Sequence, residues 1–137
     1  MAGYSGTTLI KKLGIKPDSK ILLIEPPQNY FDLLETDLSE QLCAKNEIPD
    51  LIHLFVKNKN EFESAMKKLK IIIAKKSDIT IWVSWYKKSA GIKTDLTEDV
   101  IRNYALKNGL VDVKVCAVSD TWSGLKLVVP VKLRNKK

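Results

Sequence analysis

The residues best suited to chemistry lie in the stretch "WYKKSAGIKTDLTEDV", residues 85–100, and in the later segment "SDTWSG". The first stretch places two ammonium groups, several hydroxyl groups and a glycine between a strand-like apolar run and an amphipathic run. The second segment adds an indole ring and a further hydroxyl group. Ammonium groups bind phosphates and carboxylates as point charges, and an indole ring can stack on a planar ligand. We therefore predict a shallow anion-binding site formed by Lys87, Lys88, Ser89, Gly91, Thr94, Trp122 and Ser123.

The N-terminal segment "YSGT" offers a second place for an anion. Tyr4, Ser5 and Thr7 precede a helix-like run whose first amides need hydrogen-bond partners. The same residue types are also what an ordinary helix cap requires. A structural interpretation stays open for the first site too, since Trp122 can act as a hydrophobic lid and Thr94 can belong to a helix cap.

Catalytic motifs do not accompany these residues. The only histidine, His53, lies within the apolar run "LIHLFV", where we expect a core position. Ser84 and Ser89 belong to neither a GxSxG elbow nor an SxxK pattern. Cys43 and Cys116 are far apart and lack metal-ligand spacing, so we expect reduced, packed thiols and no metal site. Catalytic residues are therefore left unassigned, and no cofactor is predicted.

The composition is that of a basic globular chain. The net charge is +7, but of the 23 basic residues only Arg102 and Arg134 are arginines, which weakens the case for nucleic-acid binding. An anionic small molecule is the more plausible partner. With 137 residues, of which 45% are hydrophobic, the chain has the size of one domain, 1–137, ending in a basic tail at 132–137. Because no apolar run approaches the roughly 20 residues of a membrane span, we expect a cytoplasmic protein without a membrane partner.

Hydrophobic periodicity predicts alternating strands and helices bounded by turn residues. The predicted strands are 20–25, 51–56, 79–85, 111–118 and 124–130. The predicted helices begin at Thr7, at Asn29, at a capping box of Asn60 with Glu63, and at a capping box of Asp95 with Glu98. Gly14 and Gly109 are placed to end the first and the last of these helices.

These elements predict an α/β, Rossmann-like fold with a mostly parallel sheet, helices on both faces and a C-terminal antiparallel hairpin. Helical segments separate the first three strands, whereas only a tight turn separates the last two. The segment 40–45, "EQLCAK", is strand-like, but residues 46–50 are too few for a crossover, so we expect a short edge strand or an irregular segment. Ligands bind such sheets outside the carboxyl ends of the parallel strands, which is where residues 87–95 are predicted to lie.

This strand order resembles the second half of the class I S-adenosylmethionine-dependent methyltransferase fold, in which the last strand inserts antiparallel beside its neighbours. In that family the cofactor lies over a glycine-rich turn after the first strand. The corresponding turn here, "IEPPQNYFDLL", has no glycine, and Pro26 and Pro27 lack amide hydrogens. Glu25 stands where the family often has an acidic residue. The resemblance therefore implies a truncated methyltransferase-like fold without a functional S-adenosylmethionine site.

Four segments carry a second resemblance, which covers nearly the whole chain: "YSGTTLIKKLGI", "LIHLFV", "WVSWYKKSAGIKTDLTEDVIR" and "VDVKVCAVSDTWSGLKLV". They are similar to a family of small bacterial cytoplasmic proteins of unknown function. This resemblance implies a location but assigns no reaction. Two functions stay open: a non-catalytic binding or regulatory module, favoured by the missing glycine turn, and a small enzyme acting on an anionic nucleotide or phosphorylated substrate.

Overall fold

The secondary structure alternates between strands and helices, as the periodicity predicted. The computed structural model describes residues 8–44 and 47–133. The strands are β1 (Ile21–Ile24), β2 (Leu51–Phe55), β3 (Thr80–Tyr86), β4 (Val111–Ala117) and β5 (Trp122–Val128). The helices are α1 (Leu9–Leu13), α2 (Tyr30–Leu34), α3 (Lys59–Lys75) and α4 (Glu98–Lys107), with short 3₁₀ turns at Ser39–Gln41, Lys88–Ala90 and Val131–Leu133.

The strands form one sheet in the order β1-β2-β3-β5-β4. β1, β2 and β3 are mutually parallel, and β4 and β5 form an antiparallel hairpin, so both predictions are confirmed. β5 lies between β3 and β4 and is antiparallel to both. The predicted α/β fold class is therefore confirmed. Within the described ranges, no helix combines the length and the apolar character needed to cross a bilayer.

Different helices cover the two faces of the sheet, because side chains alternate between faces along each strand. On the face that we call the α1–α2 face, Phe55 and Trp82 pack with Leu13, Tyr30 and Leu34. On the opposite α3–α4 face, strand residues pack with side chains of both long helices, including Leu54, Val83, Phe62, Met66 and Ile101. β2 is buried along its whole length, and so is β3 apart from its two ends, because helices cover these strands from both sides.

Residues 40–44, the described part of the segment 40–45, are irregular rather than a regular strand. Leu42 makes a single parallel bridge with Ile21 on the outer edge of β1, and the Cys43 amide donates to the Ile21 carbonyl at 2.7 Å. Directly before β2, the Asp50 amide donates to the Lys20 carbonyl at the amino end of β1, at 2.8 Å. The connection can be short because Leu42 bridges Ile21 at the amino end of β1, beside the start of β2.

Three of the four helix starts differ from the predicted ones, whereas α2 begins directly after Asn29, as predicted. Thr8 caps α1 through its hydroxyl oxygen, and the predicted cap Thr7 lies outside the described residues. α3 begins before the predicted Asn60, because the side chain of Asn58 accepts a hydrogen bond from the Glu61 amide at 2.8 Å. Of the predicted basic tail, residues 132 and 133 belong to a 3₁₀ turn and the rest lies outside the described part of the chain.

α4 begins after Thr97 and not after the predicted Asp95. The Thr97 hydroxyl oxygen accepts from the Val100 amide at 3.2 Å. Thr97, like Asn58, has an extended backbone, as an N-cap residue requires. At the start of α3 the candidates for the cap are Asn58 and Asn60, and at the start of α4 they are Asp95 and Thr97. In each pair, the residue that caps is the one with an extended backbone directly before the helix. At the other end of α4, Gly109 adopts a left-handed conformation just past the last turn, as predicted.

A buried chain of polar side chains joins α2 to two strands. His53 Nδ1 lies 2.8 Å from the Tyr30 hydroxyl, and His53 Nε2 lies 2.7 Å from the Ser84 hydroxyl. His53 and Ser84 are fully buried. Both ring nitrogens of His53 and the two hydroxyls that contact them therefore need one another as hydrogen-bond partners. Burial lowers the pKa of His53 from 6.5 to about 3 and raises the pKa of Tyr30 above its ordinary value. His53 is therefore a neutral core residue, as its position in an apolar run predicted.

The buried imidazole predicts a pH-dependent stability. The unfolded chain binds a proton at His53 below pH 6.5 and the folded chain does so only near pH 3, so acid favours unfolding throughout that window. Between about pH 6.5 and pH 5, above most carboxyl titrations, the free energy of unfolding should fall by up to about 1.4 kcal/mol per pH unit. Urea unfolding at several pH values measures this slope, and His53→Gln should flatten it. An equal slope in the variant would contradict the assignment.

Candidate functional site

Two cavities open at the edge of the sheet where the parallel strands have their carboxyl ends. Because β5 is antiparallel, its first residues reach the same edge: Trp122 pairs with Tyr86, and Ser123 pairs with Trp85. The cavity on the β3 side, which we call the lysine cavity, has a volume of about 510 Å³. The cavity on the β1 side, which we call the proline cavity, has a volume of about 810 Å³. Both volumes lie in the range of small-molecule sites.

The lysine cavity contains part of the predicted anion site. Its lining includes Lys87, Lys88, Thr94 and Ser123, all of which the sequence predicted, together with Lys93, which the sequence analysis missed. The remaining wall is largely apolar and is formed by Trp85, Tyr86, Ile92 and Leu96, with Thr97 and Glu98 at the start of α4. Cationic, hydroxyl and aromatic groups therefore meet at one place, although they come from three separate segments.

A short turn sets the positions of the two predicted lysines. The Lys87 amide donates to the Thr121 carbonyl at 2.8 Å, which ties the end of β3 to the hairpin turn. Lys88 begins a 3₁₀ turn, and Gly91 ends it with φ 71°, a left-handed conformation that glycine adopts without strain. Ser89 and Gly91 belong to this turn but do not line the cavity. Their contribution is therefore to shape the loop.

Trp122 is not in the predicted position. It begins β5 instead of standing in the hairpin turn, and it lines the proline cavity. One face of its ring stacks on Tyr86 with centroids 4.6 Å apart, and its ring also meets Phe55 edge to face at 5.0 Å. This aromatic pair separates the two cavities, since Tyr86 lines one and Trp122 lines the other. The other predicted anion site, formed by Tyr4, Ser5 and Thr7, lies outside the described residues.

The proline cavity is a feature that the sequence analysis did not predict as a cavity. Its lining includes the turn from Glu25 to Gln28 after β1, Phe55 and Trp122 at its base, and Lys57 and Lys68. Glu25 has φ 52°, which is uncommon for a residue other than glycine and marks a tight change of direction at the end of β1. This cavity could have been predicted from the general rule that ligands bind at the carboxyl ends of parallel strands.

Thr94 and Asp95 join the loop of the lysine cavity to the start of α3. The Thr94 hydroxyl donates to the Lys57 carbonyl at 2.6 Å, and its oxygen accepts from the Leu96 amide at 3.1 Å. Asp95 Oδ1 accepts from the Lys59 amide at 2.8 Å. Asp95 therefore satisfies a first-turn amide of α3 rather than capping α4. The predicted role as a cap is correct in kind, but the prediction chose the wrong helix.

The charges around the lysine cavity are unequally neutralised. Glu98 forms an ion pair with Arg102, which also binds Asp99 and Asp112. Within residues 8–44 and 47–133, Lys87, Lys88 and Lys93 make no ion pair. The cavity therefore carries an excess of positive charge and favours an anion.

Neither cysteine lines either cavity. Burial raises the pKa of the Cys116 thiol and of the Cys43 thiol. Both thiols are free, and a raised pKa makes a thiol a poor nucleophile near neutral pH. Both thiols are therefore weak nucleophiles near neutral pH, and neither is fully buried.

Comparison with known proteins identifies the fold class. No family model and no curated protein matches the sequence. A solved structure of a protein in the NADB-Rossmann superfamily from Streptococcus agalactiae is similar, with a TM-score of 0.52 and 10% identity over 88% of this chain and 67% of that one. An uncharacterised protein from Listeria monocytogenes serotype 4b is also similar, with a TM-score of 0.55 and 7% identity over 96% of this chain and 70% of that one. The fold is Rossmann-like. At these identities the likeness concerns the fold alone.

The hydrogen bonds of the loop predict different effects for its acid and its lysines. Asp95→Ala should lower the free energy of unfolding by about 1 kcal/mol, because the Lys59 amide loses its acceptor at the start of α3. Asp95→Asn keeps an acceptor oxygen and should cost less. Lys87→Ala/Lys88→Ala should change the free energy by no more than about 0.5 kcal/mol. Urea unfolding of the three variants decides this, and a double-lysine variant less stable than Asp95→Ala would show that the lysines are structural.

Proposed function

We propose that this protein is a non-catalytic binding module that holds a small anionic ligand in the lysine cavity. The observation that carries the proposal is the convergence of Lys87, Lys88 and Lys93 on one cavity at the carboxyl edge of a Rossmann-like sheet. These ammonium groups have no ion-pair partner in the described part of the chain. An anion that enters the cavity would supply the missing negative charge.

The hydroxyl groups around the cavity narrow the chemistry of the ligand. The Thr94 hydroxyl already donates to the Lys57 carbonyl and accepts from the Leu96 amide, so it has no proton to offer an anion. The Thr97 oxygen accepts from the Val100 amide, which leaves its proton free to donate, and no hydrogen bond from the Ser123 hydroxyl to another described residue is present. Ammonium groups with free hydroxyl donors suit a phosphate or a carboxylate. The apolar wall can receive a small hydrophobic part of the same molecule.

The positions of the reactive side chains favour binding over the enzymatic alternative. His53 is fully buried and bonded on both ring nitrogens, and Phe55 stacks on its ring at 4.3 Å. Among the described residues, no histidine and no cysteine lines either cavity. A proton-transfer or nucleophilic role would have to fall on lysines, hydroxyl groups or carboxylates without a visible activating partner. We also propose that the protein is bacterial and cytoplasmic.

The turn after β1 does not suit S-adenosylmethionine, although the strand order resembles that of the methyltransferases that use this cofactor. Pro26 and Pro27 form the turn after β1 and line the proline cavity. Neither proline has an amide hydrogen, so the turn cannot provide the backbone donors that a glycine-rich turn presents to a cofactor. This observation supports a methyltransferase-like module that does not use S-adenosylmethionine.

Anion binding can be tested with inorganic phosphate and adenosine monophosphate as probes. Both should perturb the amide resonances of residues 87–94 in two-dimensional NMR titrations. Lys87→Ala/Lys88→Ala should weaken that binding at least about tenfold, because two point charges leave the cavity. The matched control is Lys67→Ala/Lys70→Ala, which removes the same charge from the exposed side of α3 and should leave binding unchanged. Equal weakening in the two variants would show a general effect of net charge and would contradict the proposal.

The turn after β1 predicts the outcome of a titration with S-adenosylmethionine. We expect no binding in the micromolar range, since affinity of that order requires roughly 8 kcal/mol of specific interaction. Isothermal titration calorimetry of the purified protein measures this directly. A micromolar affinity would overturn both the cofactor prediction and the preference for a non-catalytic module.

A further inference from the structure

A second group of lysines lies on the α1–α2 face, away from the carboxyl edge. Lys114 of β4 and Lys126 of β5 are register partners, so their side chains stand directly opposite each other on one face. Lys126 is in turn the register partner of Trp82 on β3. The Lys114 ammonium reaches back across β5 and lies 6.0 Å from the centroid of the Trp82 ring. Two ammonium groups therefore cover one buried indole.

A third lysine comes from α1. The carbonyl of Leu13 accepts a hydrogen bond from Trp82 Nε1 at 2.9 Å, which holds the end of α1 over this part of the sheet. Lys12 directly precedes Leu13 in the last turn of α1, and Leu13 packs in the same cluster as Cys116 and Trp82. The charges of Lys12 and Lys114 both act to lower the pKa of the Cys116 thiol, against the effect of burial. We call Lys12, Lys114 and Lys126 the lysine triad.

No carboxylate neutralises the lysine triad among the described residues, where none of its members forms an ion pair. The cause is a register shift in β4 between Asp112 and Lys114. Asp112 pairs with Leu127 on the α3–α4 face and binds Arg102, whereas Lys114 points to the opposite face. In a regular strand residues 112 and 114 would share a face, so the irregularity places the acid nearest to Lys114 in sequence on the other face.

This arrangement is unfavourable in the unliganded protein. Like charges at directly opposite positions of neighbouring strands repel each other. Partial burial, and then the Lys114 charge, lower the pKa of the Lys126 ammonium. The sheet would be more stable with a neutral residue at either position, unless something outside the chain supplies negative charge.

We propose that the lysine triad is a binding site for a small anion that carries two or more adjacent phosphates. Three ammonium groups match the charge of such an anion better than that of a single phosphate. Trp82 is fully buried beneath the lysines, so the site offers charge and no exposed ring for a nucleobase to stack on. The site is independent of the lysine cavity, because Ser123 points to the α3–α4 face and the triad lies on the other.

The test uses pyrophosphate with Lys114→Met and Lys126→Met. Methionine keeps an unbranched stem over Trp82 and removes the charge. Without the anion, each variant should unfold at a higher temperature than the parent, because the repulsion is gone. With pyrophosphate at constant ionic strength, the parent should gain thermal stability and each variant should bind at least about tenfold more weakly. Lys114→Arg keeps the charge and should retain binding. A cooperative unfolding transition at raised temperature in the methionine variants would show that their loss of binding is not caused by misfolding.

Controls separate this site from the lysine cavity and from net charge. Lys87→Ala/Lys88→Ala should still bind pyrophosphate at the triad, with amide shifts at residues 114 and 126, so failure of one proposal leaves the other standing. Lys67→Met/Lys70→Met loses two charges elsewhere and should bind as the parent does. Pyrophosphate-induced shifts at residues 114 and 126 that survive Lys114→Met, or that weaken equally in the control, would overturn the proposal. So would an oligothymidylate that shifts residues 114 and 126 at lower concentration than pyrophosphate.

Discussion

The insertion of β5 between β3 and β4 is the constraint on which the rest of the structure depends. Gly124 makes this insertion possible, since a Cβ atom at that position would lie 3.1 Å from Val118 and 3.2 Å from Trp82. The Trp82 ring is fully buried against β5, so even an alanine at residue 124 would require Val118 or the indole to shift by a few tenths of an ångström. The close approach fixes the register in which Ser123 meets Trp85 at the carboxyl edge.

The buried hydrogen bonds from Tyr30 through His53 to Ser84 are a second constraint on the same sheet. Each of its hydrogen bonds joins a different pair of elements, namely α2 to β2 and β2 to β3. A hydrophobic side chain at residue 53 would leave two buried hydroxyls without this partner, which is costlier than the loss of either bond alone. These hydrogen bonds thereby join α2 to the sheet.

The fold could be predicted from the sequence because its signals are local. Runs such as residues 79–85 have strand length, residues 59–75 have helical spacing, and only a tight turn separates the last two strands. The details that failed are the ones that depend on distant residues. Asp95 looks like a cap for the helix that follows it, but its partner is the Lys59 amide of another helix. Trp122 looks like a turn residue, but Ser119 already closes the turn by accepting from the Thr121 and Trp122 amides at 3.1 Å.

The candidate sites likewise contain some residues that could be predicted from local sequence and others that depend on distant parts of the chain. Residues 87 and 88 could be placed at the carboxyl edge because the topology alone puts them there, whereas Lys93 joins them only through the path of a loop. The lysine triad could not be predicted, because regular alternation in "VDVKV" would place Asp112 and Lys114 on the same face of the sheet. In the structure, the register shift places them on opposite faces. β5 then links both sites. Ser123 and Lys126 are three residues apart on one strand and so face opposite sides of the sheet. A slip of one residue would turn each to the wrong face, so the packing of Trp82 against Gly124 holds both sites in place together.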